Sequence, residues 1–135
     1  MLWATNSTPQ VLDEDALVAF DTVLCNTNSN AKLDEEDKDT VSITGTGWYV
    51  ASRRGTLANT SSTAAILSGV RLLANGAEVI GGDIQFNIPA SGSIPFTISV
   101  PVHVIPADTG TATISWQMTD SATFNNATMS LERKI

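Results

Sequence analysis

Asp34, Glu35, Glu36, Asp37 and Asp39 crowd acidic side chains into one short stretch, with Lys32 and Lys38 interleaved. Hard oxygen ligands at close spacing can hold Ca²⁺, and Asp34, Glu36, Asp37 and Asp39 form the set that would do it. The stretch lacks the glycine and the regular ligand offsets of a calcium loop. A solvated loop, or one that presents charge to a partner, therefore outranks a metal site. His103 is the one histidine. A catalytic triad would need a nucleophile and an orienting acid around it, and no Gly-x-Ser-x-Gly element is present. Between Val102 and Val104 it reads as a strand-surface residue, or one stacked near a subunit contact. Cys25, the one cysteine, excludes an internal disulfide and a Cys-rich zinc site. An activated thiol wants a nearby cation or a helix start. The sequence neighbours of Cys25 supply neither, so a partly buried structural thiol is expected.

Trp3, Trp48, Tyr49, Phe86, Phe96 and Trp116 could build a sugar-stacking platform, but aromatic rings more often fill a core. Phe86 and Trp116 sit in alternating segments and are expected inside. Trp3, near the terminus, is expected to pack on a neighbouring subunit or on whatever holds the protein. Asn6–Ser7–Thr8, Asn59–Thr60–Ser61 and Asn126–Ala127–Thr128 match the glycosylation sequon. Chance matches are common in a chain this rich in Asn, Ser and Thr. No two acids take convincing positions for glycoside cleavage. The residues thus point away from an enzyme, a cofactor or a resident metal.

The scaffold behind these residues has 135 positions, a size suited to one domain over 1–135. Hydrophobic residues make up 42% and charged residues 16%. The charged share is low for a soluble domain, and Thr, Ser and Asn take its place. Apolar runs are frequent, so this is no disordered acidic tail. The net charge of −7 and the lack of a basic stripe argue against nucleic acid and against a bare anionic membrane. No run approaches a membrane helix. The start, MLWATNSTPQ, has neither the basic region nor the apolar core of a signal peptide.

Helix signals are nearly absent, and about nine strands are predicted. Residues 1–12 are expected as an N-terminal strand or arm, Leu17–Leu24 as one strand, and Asn26–Asp39 as the long polar loop. Val41–Thr44 alternates. Gly47–Ser52 continues past Arg53 and Arg54 to Ala58. Ala65–Leu73 and Glu78–Ile80 flank Asn75–Gly76, a pair that tolerates a tight hairpin turn. Gly81–Gly82 is expected to break the second of these. Ile84, Phe86 and Ile88 share one face, as do Ile114, Trp116 and Met118. Pro95 and Pro101 lack a ladder donor and place 94–104 at an edge or a bend. The pattern predicts an all-β, two-sheet antiparallel β-sandwich, a jelly roll, with a barrel as the alternative closure.

Four stretches, in order, resemble the C1q/TNF-like jelly-roll superfamily. They are Ala19–Leu24 with Asn26 beyond, Thr46–Val50 with its Gly-x-Tyr, Gly69–Gly76 with its Asn-Gly hairpin, and Leu131–Arg133 with Ile135. Ala51 stands where the family often has an aromatic, and Ala107–Asp108 where it has a Gly-Asp turn. No collagenous stalk is present. The resemblance implies a ten-strand jelly roll and a compact homotrimer, with Tyr49 near the threefold axis and Trp48 beside it at the subunit contact. It implies a bacterial or bacteriophage-type member rather than a secreted ligand.

Continuous apolar runs such as Leu17–Phe20 and Leu72–Leu73 also ask for burial on two faces, which a symmetric copy supplies. The resulting expectation is a non-enzymatic homotrimer of a virion, as head fibre, decoration or tail-tip protein. Its partners would be itself, a capsid or tail protein, and a host-surface glycan. The alternative is a bacterial cell-surface or spore-coat module that binds carbohydrate or protein.

Overall fold

The computed structural model describes residues 1–106 and 110–134. The expected turn at Ala107–Asp108 and the closing Ile135 lie outside them. Eleven strands are present among the described residues: β1 (Leu2–Thr5), β2 (Gln10–Leu12), β3 (Thr22–Asn26), β4 (Ala31–Leu33), β5 (Thr40–Thr44), β6 (Gly47–Ala58), β7 (Ile66–Ala74), β8 (Ala77–Ile88), β9 (Ser93–Val104), β10 (Thr111–Met118) and β11 (Ala122–Arg133). They form two antiparallel sheets in jelly-roll order. The first runs β3-β1-β11-β6-β9, with β2 also on β11; the second runs β4-β5-β10-β7-β8.

Alternation explains most of these strands. In β10, Ile114, Trp116 and Met118 point inward and are buried. In β8, Ile84, Phe86 and Ile88 share the inner face. The expected tight turn stands between β7 and β8, with Asn75 at φ +52° and Gly76 at +78°, the left-handed pair a two-residue hairpin needs. β9 lies at the free edge of the first sheet, where Pro95 and Pro101 cost no ladder bond.

Three expectations are corrected. Leu17–Leu24 is not one strand. Leu17 makes a single bridge to Gln117, Val18 and Phe20 are buried from a loop, and β3 starts only at Thr22. The main-chain N–H of Val18 donates to Trp116 O and that of Phe20 to Lys38 O. A loop can therefore bury apolar side chains once its own amides find carbonyls. Asn26–Asp39 is not one polar loop, because Ala31 and Leu33 turn into the core as β4. Gly81–Gly82 does not end β8. The strand bulges there, so that Arg71 faces Asp83 and Leu73 faces Glu78.

The core lies between the sheets. Its largest fully buried side chains include Trp116, Tyr49, Phe124, Leu57 and, unexpectedly, Arg53. The Arg53 guanidinium is 1% exposed. It sits 4.6 Å from the ring centres of Phe20 and Phe124 and 5.7 Å from that of Trp116. Its Nε, Nη1 and Nη2 have no hydrogen-bond partner among the described residues. Desolvation by burial lowers its proton affinity well below an ordinary arginine's, and the ring faces are what hold the cation there.

The N-terminal segment is tied to the start of β3 through Asp21. Desolvation raises the Asp21 pKa. Hydrogen bonds from Thr22 Oγ1, Ser7 Oγ and the Ser7 N–H outweigh it and hold the carboxyl below its ordinary 3.8. A folded value below the unfolded one adds stability above pH 3.8 that is lost as pH falls through the folded value. Asp21→Asn is therefore expected to melt below the wild type at neutral pH. The gap should close in the acid range beneath pH 3.8, as read by melting temperature against pH.

Candidate interaction face

The outer face of the first sheet is read from the register of its strands. One row crosses it as Ser99, Ser52, Ser130, Trp3 and Cys25. The next crosses as Thr97, Arg54, Thr128, Thr5 and Thr22. Pro101, Val50 and Glu132 form a third row, and His103 and Trp48 begin a fourth. Short hydroxyl side chains dominate and bond one another: Ser52 Oγ lies 2.8 Å from Ser99 Oγ, and Thr5 Oγ1 lies 3.2 Å from Thr128 Oγ1. Two tryptophans stand above this low floor.

Trp48 is 46% exposed and stacks on His103, with ring centres 4.8 Å apart and planes 16° from parallel. Because successive strand residues face opposite sides, Tyr49 points the other way. It is 1% exposed, within the inter-sheet core. Its side chain is already used inside the chain, which moves the interface expectation from Tyr49 to Trp48. Trp3 is exposed, as attachment would require. With Met1 it walls a groove of about 310 Å³ that Ser52, Thr128 and Ser130 floor and that Arg54 and Thr97 line opposite. Arg54 is exposed and makes no ion pair among the described residues.

Cys25 is exposed rather than partly buried, since β3 is an edge strand whose five residues are all exposed. The acidic stretch is not gathered into a ligand set. Asp34 Oδ1 accepts the Glu36 and Asp37 N–H at 2.8 and 3.1 Å, Asp39 Oδ1 accepts the Thr40 hydroxyl, and Glu35 pairs with Lys32 at 3.2 Å. Among the described residues no three His, Cys, Asp or Glu side chains group as metal ligands would. Two sequon asparagines are structural. Asn6 Nδ2 donates to Ala19 O, and Asn59 Nδ2 to Ala64 O, and both residues are buried. Asn126 is exposed. Sequence reasoning missed Arg54, although the alternation of β6 from Trp48 onward puts it outside.

No protein-family model matches the chain. No curated protein matches it either. Solved structures do. The globular domain of zebrafish complement 1qA superposes with a TM-score of 0.67 at 10% identity, over 96% of this chain and 93% of that one. Murine APRIL at pH 5.0 gives 0.67 at 9% identity, over 98% of each chain. Murine APRIL at pH 8.5 gives 0.63 at 11% identity, over 97% of this chain and 96% of that one. The fold is that of C1q/TNF-like jelly-roll domains.

Proposed function

We propose that this chain is a non-enzymatic structural module that assembles as a homotrimer and serves on a bacteriophage virion, as head fibre, decoration or tail-tip protein. It would bind a capsid or tail protein and meet the host surface there. One observation carries the reading: the outer face of the first sheet is built like an interface. Its floor is short hydroxyls, the large apolar residues exposed in its register rows are Trp3 and Trp48, and Glu132 is the one carboxylate in those rows, in a chain of net charge −7. Interface centres are depleted in charge and enriched in Trp and Arg. Trp48 rather than Tyr49 carries the aromatic contact, and Trp3 is the attachment candidate.

The test is solution mass by light scattering, with and without chelator. Three chains' mass, unchanged by chelator, is expected. Trp48→Ser is expected to weaken association at least tenfold, in line with loss of an interface tryptophan. A monomer at high micromolar concentration would overturn the reading. Antibody labelling of intact particles tests the virion role. The Trp48–His103 stack favours a second reading, a bacterial cell-surface or spore-coat module that binds carbohydrate on that exposed ring pair. Quenching of tryptophan fluorescence by soluble glycans, absent in Trp48→Ser, would support it.

A further inference from the structure

Arg53 carries a full positive charge into the core, and the chain supplies nothing there to cancel it. No aspartate or glutamate among the described residues is buried. The rings of Phe20 and Phe124 lay electron density against the guanidinium. A ring face is neither a counter-charge nor an oxygen lone pair, and all three guanidinium nitrogens stay without an acceptor among the described residues. A second donor shares the neighbourhood. Trp116 is 1% exposed, with its ring centre 5.7 Å from Arg53 Cζ. Its indole Nε1 is also buried and has no acceptor among the described residues. Arg53 stands on β6 of the first sheet and Trp116 on β10 of the second, so the two donors come from opposite layers of the sandwich.

The chemistry of this pair is one-sided. Guanidinium and indole offer N–H donors and no acceptor. A water molecule would satisfy some of those donors, but its own hydrogens would face rings and further donors, and the charge would stay unbalanced. A negative ion that only accepts meets both demands. Close packing of the interior limits it to a small one. We infer that one small monovalent anion of the halide class binds inside the sandwich between Arg53 and Trp116, accepting from the guanidinium and from the indole N–H. It acts as a structural counter-ion: it links the two sheets through donors that the chain leaves open, and it couples stability to chloride. The site lies within a single copy, so the inference stands apart from self-association.

The test is the melting temperature of the full chain at fixed ionic strength, as sodium chloride replaces sodium gluconate, whose anion is too bulky for the site. Each tenfold rise in chloride above the dissociation constant is expected to raise the wild-type melting temperature by about 3 °C or more. Arg53→Met removes the charge and should show no such rise, so any gain it has over the wild type narrows as chloride increases. Trp116→Phe keeps a ring but loses the indole donor, and its rise should need about tenfold more chloride. Crystals grown in bromide should give an anomalous peak within hydrogen-bond reach of the Arg53 guanidinium and Trp116 Nε1. Equal wild-type melting in chloride and gluconate overturns the inference. A chloride-dependent rise that persists in Arg53→Met also overturns it, because the anions then act at the surface. Bromide peaks confined to the surface do the same.

Discussion

Gly69→Ala is expected to lower stability by about 3 kcal/mol or more, a fall of roughly 10 °C or greater in melting temperature. Gly69 is buried in β7 opposite Gln85. A Cβ placed there would stand 1.7 Å from the carbonyl oxygen of Ile84 and 2.7 Å from Gln85 Cα. These are main-chain atoms of the paired strand, so no rotamer change relieves the overlap. β8 must move away, and the β7–β8 ladder is lost locally. Gly76→Ala is the control: its Cβ would meet nothing within 4 Å, but φ is +78°, so about 1–2 kcal/mol of left-handed strain is expected. Equal losses at the two sites, measured by denaturant titration, would show that β8 gives way freely and that the close approach has no energetic weight.

The second large effect concerns Arg53. Replacing a buried ion pair by well-packed apolar side chains is often neutral or stabilising, by up to about 1–4 kcal/mol, and Arg53 has no carboxylate partner among the described residues to repay its desolvation. Arg53→Met should therefore raise the denaturation midpoint. The methionine chain follows the same path, and its sulfur packs well against the rings of Phe20, Phe124 and Trp116. Arg53→Lys should lower the midpoint. It keeps the charge but concentrates it on an ammonium that is more strongly hydrated and has no flat face to lay on a ring. The pair of variants separates the two opposing contributions. If Arg53→Met is destabilising by more than about 1 kcal/mol, the aromatic faces outweigh the desolvation cost, and the cation–π cage is a net stabiliser.

Arg53 also marks where the sequence was readable and where it was not. The period-two pattern of β6 was legible, and it assigns Tyr49, Ala51, Arg53, Gly55 and Leu57 to one face and Trp48, Ser52 and Arg54 to the other. A charged residue type is poor evidence of burial, so the pattern alone does not announce Arg53 as core. What places it there is Phe124, Phe20 and Trp116, three strangers in sequence that meet only in the fold. The resemblance of Thr46–Val50 drew attention to Tyr49, whereas the alternation gives the outward position to Trp48. The sandwich, the edge position of β9 and the Asn75–Gly76 turn came from local chemistry that survives any packing: missing donors and left-handed tolerance. The loop carrying Val18 and Phe20, and strand β4 within the polar stretch, did not. The loop's burial depends on carbonyls of Lys38 and Trp116 that are distant in sequence, and that of β4 on its pairing with β5. The interaction face was legible only in parts, because its rows join residues from five strands.

The two free edges on the β8–β9 side of the sandwich share a property that matters at high copy density. β9 offers its edge with imino acids at 95 and 101, and β8 offers its edge with a bulge at Val79–Gly82. A proline kept within a paired strand turns its nitrogen to the open side, so an incoming strand along β9 meets two missing donors six residues apart. Along β8 it meets a ladder whose spacing is broken. Neither edge can template the endless main-chain pairing of a fibril. On the β8–β9 side, a chain displayed in many copies on a crowded surface would thus be held to contacts between side chains, which saturate at a fixed number of neighbours instead of growing.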